Sequence, residues 1–259
     1  MMVFLFAKKN YQAQLGLNSI QENLRTTSQL LSADIRLAGY IGCAAWTSTF
    51  PFKNDLPIVL SEKNKIEPYV TAEMKENTDG ISVAHLSENS DYLIKDMRSY
   101  RLLTVDGGES FHNDDYLLIS DCKTAEVFRV KSIMVKAGGL QEVTPWHPLK
   151  NKYLKHAQVG RFERNSYYIG KTDRMDRNGR PIYSLYMNDI NAYKQEIIDH
   201  AEEMKIDIDV EEDGHLVKIP VQQIKEEAQI KGISIKLMVS AQEALSLGKT
   251  FYIYVALRQ

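Results

Sequence analysis

The stretch Asp34-Ile35-Arg36-Leu37-Ala38-Gly39-Tyr40-Ile41-Gly42-Cys43 closes the first 43 residues and decides how they fold. Upstream of it, apolar or small residues recur every three or four positions, which predicts one face of an α-helix. Gly39 suits the position just past a helix end, where a left-handed backbone is needed. The predicted helix face consists of Ala13, Leu17, Ile20, Leu24, Thr27, Leu31, Ile35 and Ala38.

This helix is longer than a small domain can cover. From Phe4 to Ala38 it would span roughly 50 Å at about 1.5 Å per residue, so we expect its N-terminal part to protrude. The alternative, a core helix packed on a sheet along its length, stays open. The apolar run Met1–Ala7 looks like the end of a longer hydrophobic segment. It is too short to cross a bilayer, which needs about 20 residues, so the sequence predicts no transmembrane helix and no complete signal peptide.

Composition and motifs argue against several classes of protein. With 32 basic and 34 acidic residues interspersed, the chain lacks the basic bias of a nucleic-acid-binding protein. The segment from Asp173 to Gly179 resembles a calcium loop, but Arg174 and Leu185 stand where acids are required, so a charged turn is predicted. We find no phosphate-binding glycine loop and no nucleophile elbow. The sequence therefore predicts no enzyme activity, no cofactor and no metal.

The chain after Cys43 reads as many short strands. Runs such as Ala125–Val135 alternate between apolar and polar residues, and Asn178-Gly179 predicts a hairpin. The lysine-rich segment from Trp146 to His156 is predicted to be a surface loop that exposes His147 and His156. One helix followed by strands predicts an α+β fold, with a helical spine over residues 1–42 and a globular β-rich part over residues 43–259.

The two cysteines, Cys43 and Cys122, do not stand in a metal-binding or redox spacing. An exported protein would allow a disulfide between them, and a cytosolic one would keep two buried thiols. The residues themselves leave both alternatives open.

Several segments together resemble the PilW family of type IV pilus minor pilins. The helix carries Ile20-Gln21-Glu22-Asn23-Leu24-Arg25, and its end is similar to an acidic-x-Arg-x-Ala-Gly-Tyr-x-Gly-Cys motif through Asp34, Arg36, Gly39, Tyr40, Gly42 and Cys43. Ser120-Asp121-Cys122, Phe128-Arg129-Val130, the stretch from Arg161 to Tyr168 and the closing strand from Phe251 to Arg258 also match family features. The likeness covers most of the chain. The leader and membrane-proximal apolar half of a pilin helix are not seen, so the resemblance implies a truncated start.

This resemblance implies a pilin-like fold, in which a long N-terminal helix packs on an antiparallel sheet. It also implies a Cys43–Cys122 disulfide and a non-enzymatic subunit of the pilus tip or priming complex. Expected partners are other minor pilins, the major pilin, a tip adhesin and the inner membrane, but not nucleic acid. The protein is expected in the inner membrane with a periplasmic domain, and then on the surface pilus of a Gram-negative bacterium. The expected subunit-interface residues are Ala13, Leu17, Ile20, Glu22, Leu24 and Arg25.

Two rival functions stay open. A minor pseudopilin of a type II secretion system shares the architecture. An exported adhesion or ligand-binding module would instead need a concave aromatic site, for which Tyr167, Tyr168, Tyr183 and Tyr186 are the candidates.

Overall fold

A computed structural model describes residues 2–43, 46, 52–54, 65–176, 178–225, 229–241 and 244–257. Within these ranges the chain forms one α-helix, α1 (Met2–Leu37), followed by strands and two short 3-10 turns. The strands are β1 Phe52–Asn54, β2 Ile66–Pro68, β3 Ile81–Tyr92, β4 Leu103–Val105, β5 Tyr116–Ser120, β6 Ala125–Val135, β7 Gln141–Pro145, β8 Gln158–Met175, β9 Pro181–Asn188, β10 Lys194–Asp199, β11 Ala201–Glu212, β12 His215–Pro220, β13 Gln229–Ala241 and β14 Ala244–Ala256.

The predicted α+β, pilin-like fold class is wrong. The chain is mostly β-sheet and forms two mainly antiparallel sheets, one of ten strands and one of four, so it is not organised as a long helix laid on a single sheet. The helical spacing of apolar residues is confined to the N-terminal segment, whereas an alternation of apolar and polar residues, typical of strands, dominates the rest of the sequence.

Among the described side chains of the helix, the buried ones begin at Ile20. The predicted face is confirmed from Ile20 onward, because Ile20, Leu24, Thr27, Leu31 and Ile35 are all buried. Among the described side chains of residues 10–18, none is buried. The expected protrusion of the N-terminal end stays a prediction, because the side chains of residues 2–9 lie outside the described part. Within the described residues, no helix has the length and apolar character that a membrane crossing requires.

The chain divides into two compact units. Unit 1 contains residues 1–36, 67–83 and 165–259, and unit 2 contains residues 37–66 and 84–164. This division differs from the predicted one at residue 42, because the helix belongs to the same unit as the C-terminal strands.

Unit 1 holds the four-stranded antiparallel sheet, in the order β12-β11-β13-β14. Its buried face is built from aliphatic side chains in register, for example Ile206 opposite Ile235 and Ile235 opposite Ile253. The same unit holds the hairpin of β8 and β9, in which Tyr168 lies opposite Tyr186. The predicted Asn178-Gly179 hairpin is thus confirmed, and Gly179 has a φ of 73° that suits its turn.

Unit 2 is built around strands β5, β6 and β7, with β4 at the edge. The predicted strand Ala125–Val135 is confirmed with the same bounds as β6. An apolar cluster of buried residues lies in this unit. It includes Leu93, Met97, Leu103, Phe111, Leu117, Ile119, Phe128, Val130, Val143, Leu149, Tyr153 and Val159.

The helix is followed by two glycines at which an added side chain would be both strained and crowded. Gly39 has a φ of 77°, as predicted for the position past the helix, and its amide donates to the Ala84 carbonyl at 2.9 Å. A Cβ on Gly39 would lie 2.4 Å from Cδ of Lys65. Gly42 has a φ of 96°, and a Cβ there would lie 2.5 Å from Oγ of Ser120. The glycines of this segment therefore allow both its backbone conformation and its close packing.

Gly39→Ala tests this close packing against a matched control. Gly138 has a similar φ of 83°, but no atom lies within 4 Å of the position that an added methyl group would take. Gly138→Ala should lower the free energy of unfolding by about 1 kcal/mol through backbone strain alone. Gly39→Ala should cost more, because Lys65 and Trp46 must move as well. Urea unfolding of both variants measures the difference, and equal losses would contradict the packing argument.

Candidate functional site

Asp34 is a buried carboxylate at the end of the helix. It is only 8% exposed, and its two oxygens accept hydrogen bonds from strand β8. The Tyr167 hydroxyl donates to Oδ2 at 2.9 Å, and Nδ2 of Asn165 donates to Oδ1 at 3.0 Å. A buried carboxylate without such donors would be costly, so these bonds fix the helix end on the strand.

The other residues of the predicted helix-end motif differ in how deeply they are buried. Arg36 is exposed. Tyr40 is half-buried in unit 2, where its carbonyl accepts from the Leu86 amide at 2.7 Å and its hydroxyl accepts from Nε2 of Gln158 at 3.1 Å. Gly39 and Gly42 form the tight turn described above. The buried residues of the motif therefore stabilise the fold, whereas Arg36 lies at the surface.

The predicted interface residues are not equally available to a partner. Ile20 and Leu24 are 4% and 3% exposed, so they pack in this chain's own core and offer little surface to a partner. Leu17 is half-buried, and Glu22 and Arg25 are exposed. Ala13 lies in the helix, but its side chain is outside the described part. The spacing of apolar residues alone cannot distinguish a helix face that is buried within its own chain from one that contacts a neighbouring subunit.

The two cysteines lie next to each other in unit 2. Cys43 and Cys122 are both exposed and unbonded, and their thiols share a hydrogen bond. Partial desolvation of the Cys43 thiol, reinforced by the hydrogen bond and charge interaction with Cys122, raises its pKa to about 11. The predicted disulfide stays a prediction, and the adjacency of the thiols is what such a bond requires.

The predicted concave aromatic site corresponds in part to a depression in unit 1. The depression has a volume of about 930 Å³, and Tyr183 and Tyr186 line it. The ring of Tyr168 lies 5.8 Å from that of Tyr186, centroid to centroid. Tyr167 alternates to the opposite side of β8 and contacts Asp34 instead. Adjacent residues of a strand point to opposite faces, so Tyr167 and Tyr168 do not share the one site that was predicted for them.

Lysines already cover the rings of this depression. Nζ of Lys194 lies 4.0 Å from the Tyr186 centroid and pairs with Glu73. Nζ of Lys75 lies 4.4 Å from the Tyr183 centroid and donates to Oε2 of Glu202 at 2.8 Å. The hydrogen bond from Lys194 holds the pKa of Glu73 below its usual value. The protein's own ion pairs thus occupy ring faces on which a ligand would stack.

The calcium-like segment is a self-contained turn. Oδ1 of Asp176 accepts from the amides of Asn178 and Arg180, both at 2.8 Å. Oδ2 of the same carboxylate accepts from Nε of Arg180 at 2.9 Å. These bonds, led by that from the Arg180 amide, keep the pKa of Asp176 below its usual value. The geometry fits the predicted charged hairpin turn.

No protein family, curated protein or solved structure matches the chain.

The raised pKa of Cys43 predicts slow alkylation of the reduced protein. Because the neutral thiol is favoured, only about a thousandth of Cys43 is thiolate at pH 8, and its labelling rate should climb as the pH approaches 11. Cys122→Ala removes the hydrogen bond but not the desolvation, so it should shift the profile part of the way to lower pH. Iodoacetamide labelling followed by peptide mass spectrometry measures both profiles. An unchanged profile in Cys122→Ala would contradict the pairing of the thiols.

The same labelling tests the predicted disulfide. Under oxidising conditions, native protein should protect both cysteines until a reductant is added. Equal labelling of both thiols in unreduced native protein would exclude that bond.

Proposed function

We propose that the chain is a non-enzymatic assembly subunit of an extracellular fibre, as its resemblance to PilW minor pilins implies. The observation that carries this proposal is the uneven burial of α1. The second half of the helix is anchored in the protein, and the described residues of the first half are not buried. A helix that is anchored over residues 20–37 and not buried over the described side chains of residues 10–18, here called the bare half, is suited to packing against the helices of neighbouring subunits.

Apolar side chains on the bare half would supply the binding energy. Tyr11 is 63% exposed and Leu15 is 50% exposed. Full burial of such a side chain contributes about 1.5–3 kcal/mol. An exposed helix short of tertiary support is also only marginally stable in water, so a neighbouring helix would stabilise its conformation. Glu22 and Arg25, exposed on the same helix, would lie at the polar rim and set the register.

The anchored half would fix the direction of the bare half. Hydrogen bonds from Tyr167 and Asn165 hold Asp34 close to the last helical turn. A rigid base reduces the ordering cost that assembly must overcome. The proposal therefore depends on the helix and its anchor, and it does not depend on the pilin-like architecture, which the two-sheet fold replaces.

The proposed partners follow from the same resemblance. They are sister minor pilins, the major pilin and a tip adhesin, met at the inner membrane and then in a surface fibre. A pseudopilus of a secretion system would use the helix in the same way. A ligand-binding function at the tyrosine-lined depression has less support, because Lys75 and Lys194 lie over the rings of Tyr183 and Tyr186.

The assembly proposal is tested by placing a charge on the bare half of the helix. Leu15→Asp in the native host should reduce surface fibres at least tenfold, because a buried carboxylate would be forced between packed helices. Leu216→Asp is the matched control, since Leu216 is 69% exposed on the edge strand β12. Electron microscopy counts the fibres, and thermal unfolding checks that both variants remain folded. Equal fibre numbers for the two variants, or a host without fibres, would overturn the proposal.

A further inference from the structure

We infer that an exposed basic face of unit 2, formed by residues 92–102 and 146–157, binds a linear acidic polysaccharide. This inference is independent of fibre assembly, because it uses neither the helix nor its partners. The second segment contains the lysine-rich stretch that was predicted to be a surface loop, and His147 and His156 are exposed there as expected.

The basic face gathers positive charge that the whole-chain composition conceals. Its two segments hold six basic residues and one acid, a net charge of +5 in a chain whose total is −2. All six side chains are exposed: Lys95, Arg98, Arg101, Lys150, Lys152 and Lys155. In the described part of the chain, none of the six is engaged in an ion pair with a carboxylate. Their charge is therefore available to a partner.

Backbone hydrogen bonds hold the two segments side by side. The amide of Met97 donates to the Tyr153 carbonyl at 3.0 Å, and the amide of Leu149 donates to the Tyr100 carbonyl at 2.8 Å. The one acid, Asp96, accepts from the Lys155 amide at 2.8 Å, so its carboxylate is used within the face. The two segments consequently form a single surface.

Buried groups stabilise this surface from beneath. The carboxylate of Glu126 is 4% exposed and accepts from the amides of Lys150 and Asn151 at 2.6 and 2.7 Å. It also accepts from the hydroxyl of Tyr153, a fully buried side chain in the core of unit 2. Like charges are thus held together by the fold. Such a preorganised array binds a polyanion without a large ordering cost.

The chemistry of the face favours an acidic polysaccharide over nucleic acid. Four of the six charges are lysines, which bind as hydrated point charges, whereas phosphate recognition favours the planar fork of arginine. Base stacking needs free aromatic faces. Nζ of Lys152 lies 5.0 Å from the Tyr100 centroid, and Nζ of Lys131 lies 5.7 Å from that of Trp146. A chain of sugars bearing carboxylates or sulfates needs positive charge and hydrogen bonds without that stacking.

The test measures binding of the full chain to fluorescent heparin and alginate at about 50 mM salt by anisotropy. Lys95→Gln, Lys152→Gln and Lys155→Gln together should weaken binding about 100-fold, as expected for three lysines near an anionic surface. The control combines Lys123→Gln, Lys171→Gln and Lys225→Gln, three exposed lysines outside the face with the same loss of charge. It should change affinity less than about threefold. Replacing the three face lysines with arginine should retain binding.

Three outcomes would overturn the inference. The first is an absence of binding to either polysaccharide, and the second is an equal loss in the face and control variants. The third is tighter binding of a DNA duplex of matched charge, which would assign the face to nucleic acid. Neutral dextran should not bind, and thermal unfolding should show that all variants are folded.

Discussion

Two hydrogen bonds to the buried carboxylate of Asp34 hold the last turn of the helix on strand β8. They join a helix residue to Tyr167 and Asn165 on β8, more than 130 residues away in the chain. Ile20, Leu24 and Leu31 extend the buried face, but apolar contacts alone allow a helix to slide or rotate. A buried carboxylate with two fixed donors permits one register. That single register determines which part of α1 is covered and which part stays available.

Local features of this chain were predictable from its sequence, and long-range ones were not. The buried face of α1, Gly39 at its end and the Asn178-Gly179 hairpin follow from periods and backbone preferences of neighbouring residues. The α+β prediction failed because one strong helical period outweighed many weaker strand signals. In β6, a bulge between Val130 and Ser132 shifts the alternation of buried and exposed residues, and the apolar side chain of Met134 is exposed.

The candidate sites show the same limit. The sequence predicts one site for Tyr167 and Tyr168, but adjacent strand residues point to opposite faces, and of these two only Tyr168 packs against the ring of Tyr186. The sequence predicts Ile20 and Leu24 at a subunit interface, because the spacing of apolar residues does not distinguish contacts within the chain from contacts with another subunit. The basic face could not be recognised in the sequence, because net charge averages over the whole chain. In addition, its two segments lie about 50 residues apart, and their lysines come together only after folding.

In the isolated chain, burial supports α1 from Ile20 onward, whereas the described side chains of residues 10–18 are not buried. Hydrogen–deuterium exchange of the purified protein measures this difference, because amide protection reports local opening. Amides of residues 10–18 should exchange at least tenfold faster than those of residues 24–35, where the helix face is buried. Uniform protection along the whole of α1 would show that residues 10–18 are supported as well, and would overturn the proposed role of the helix.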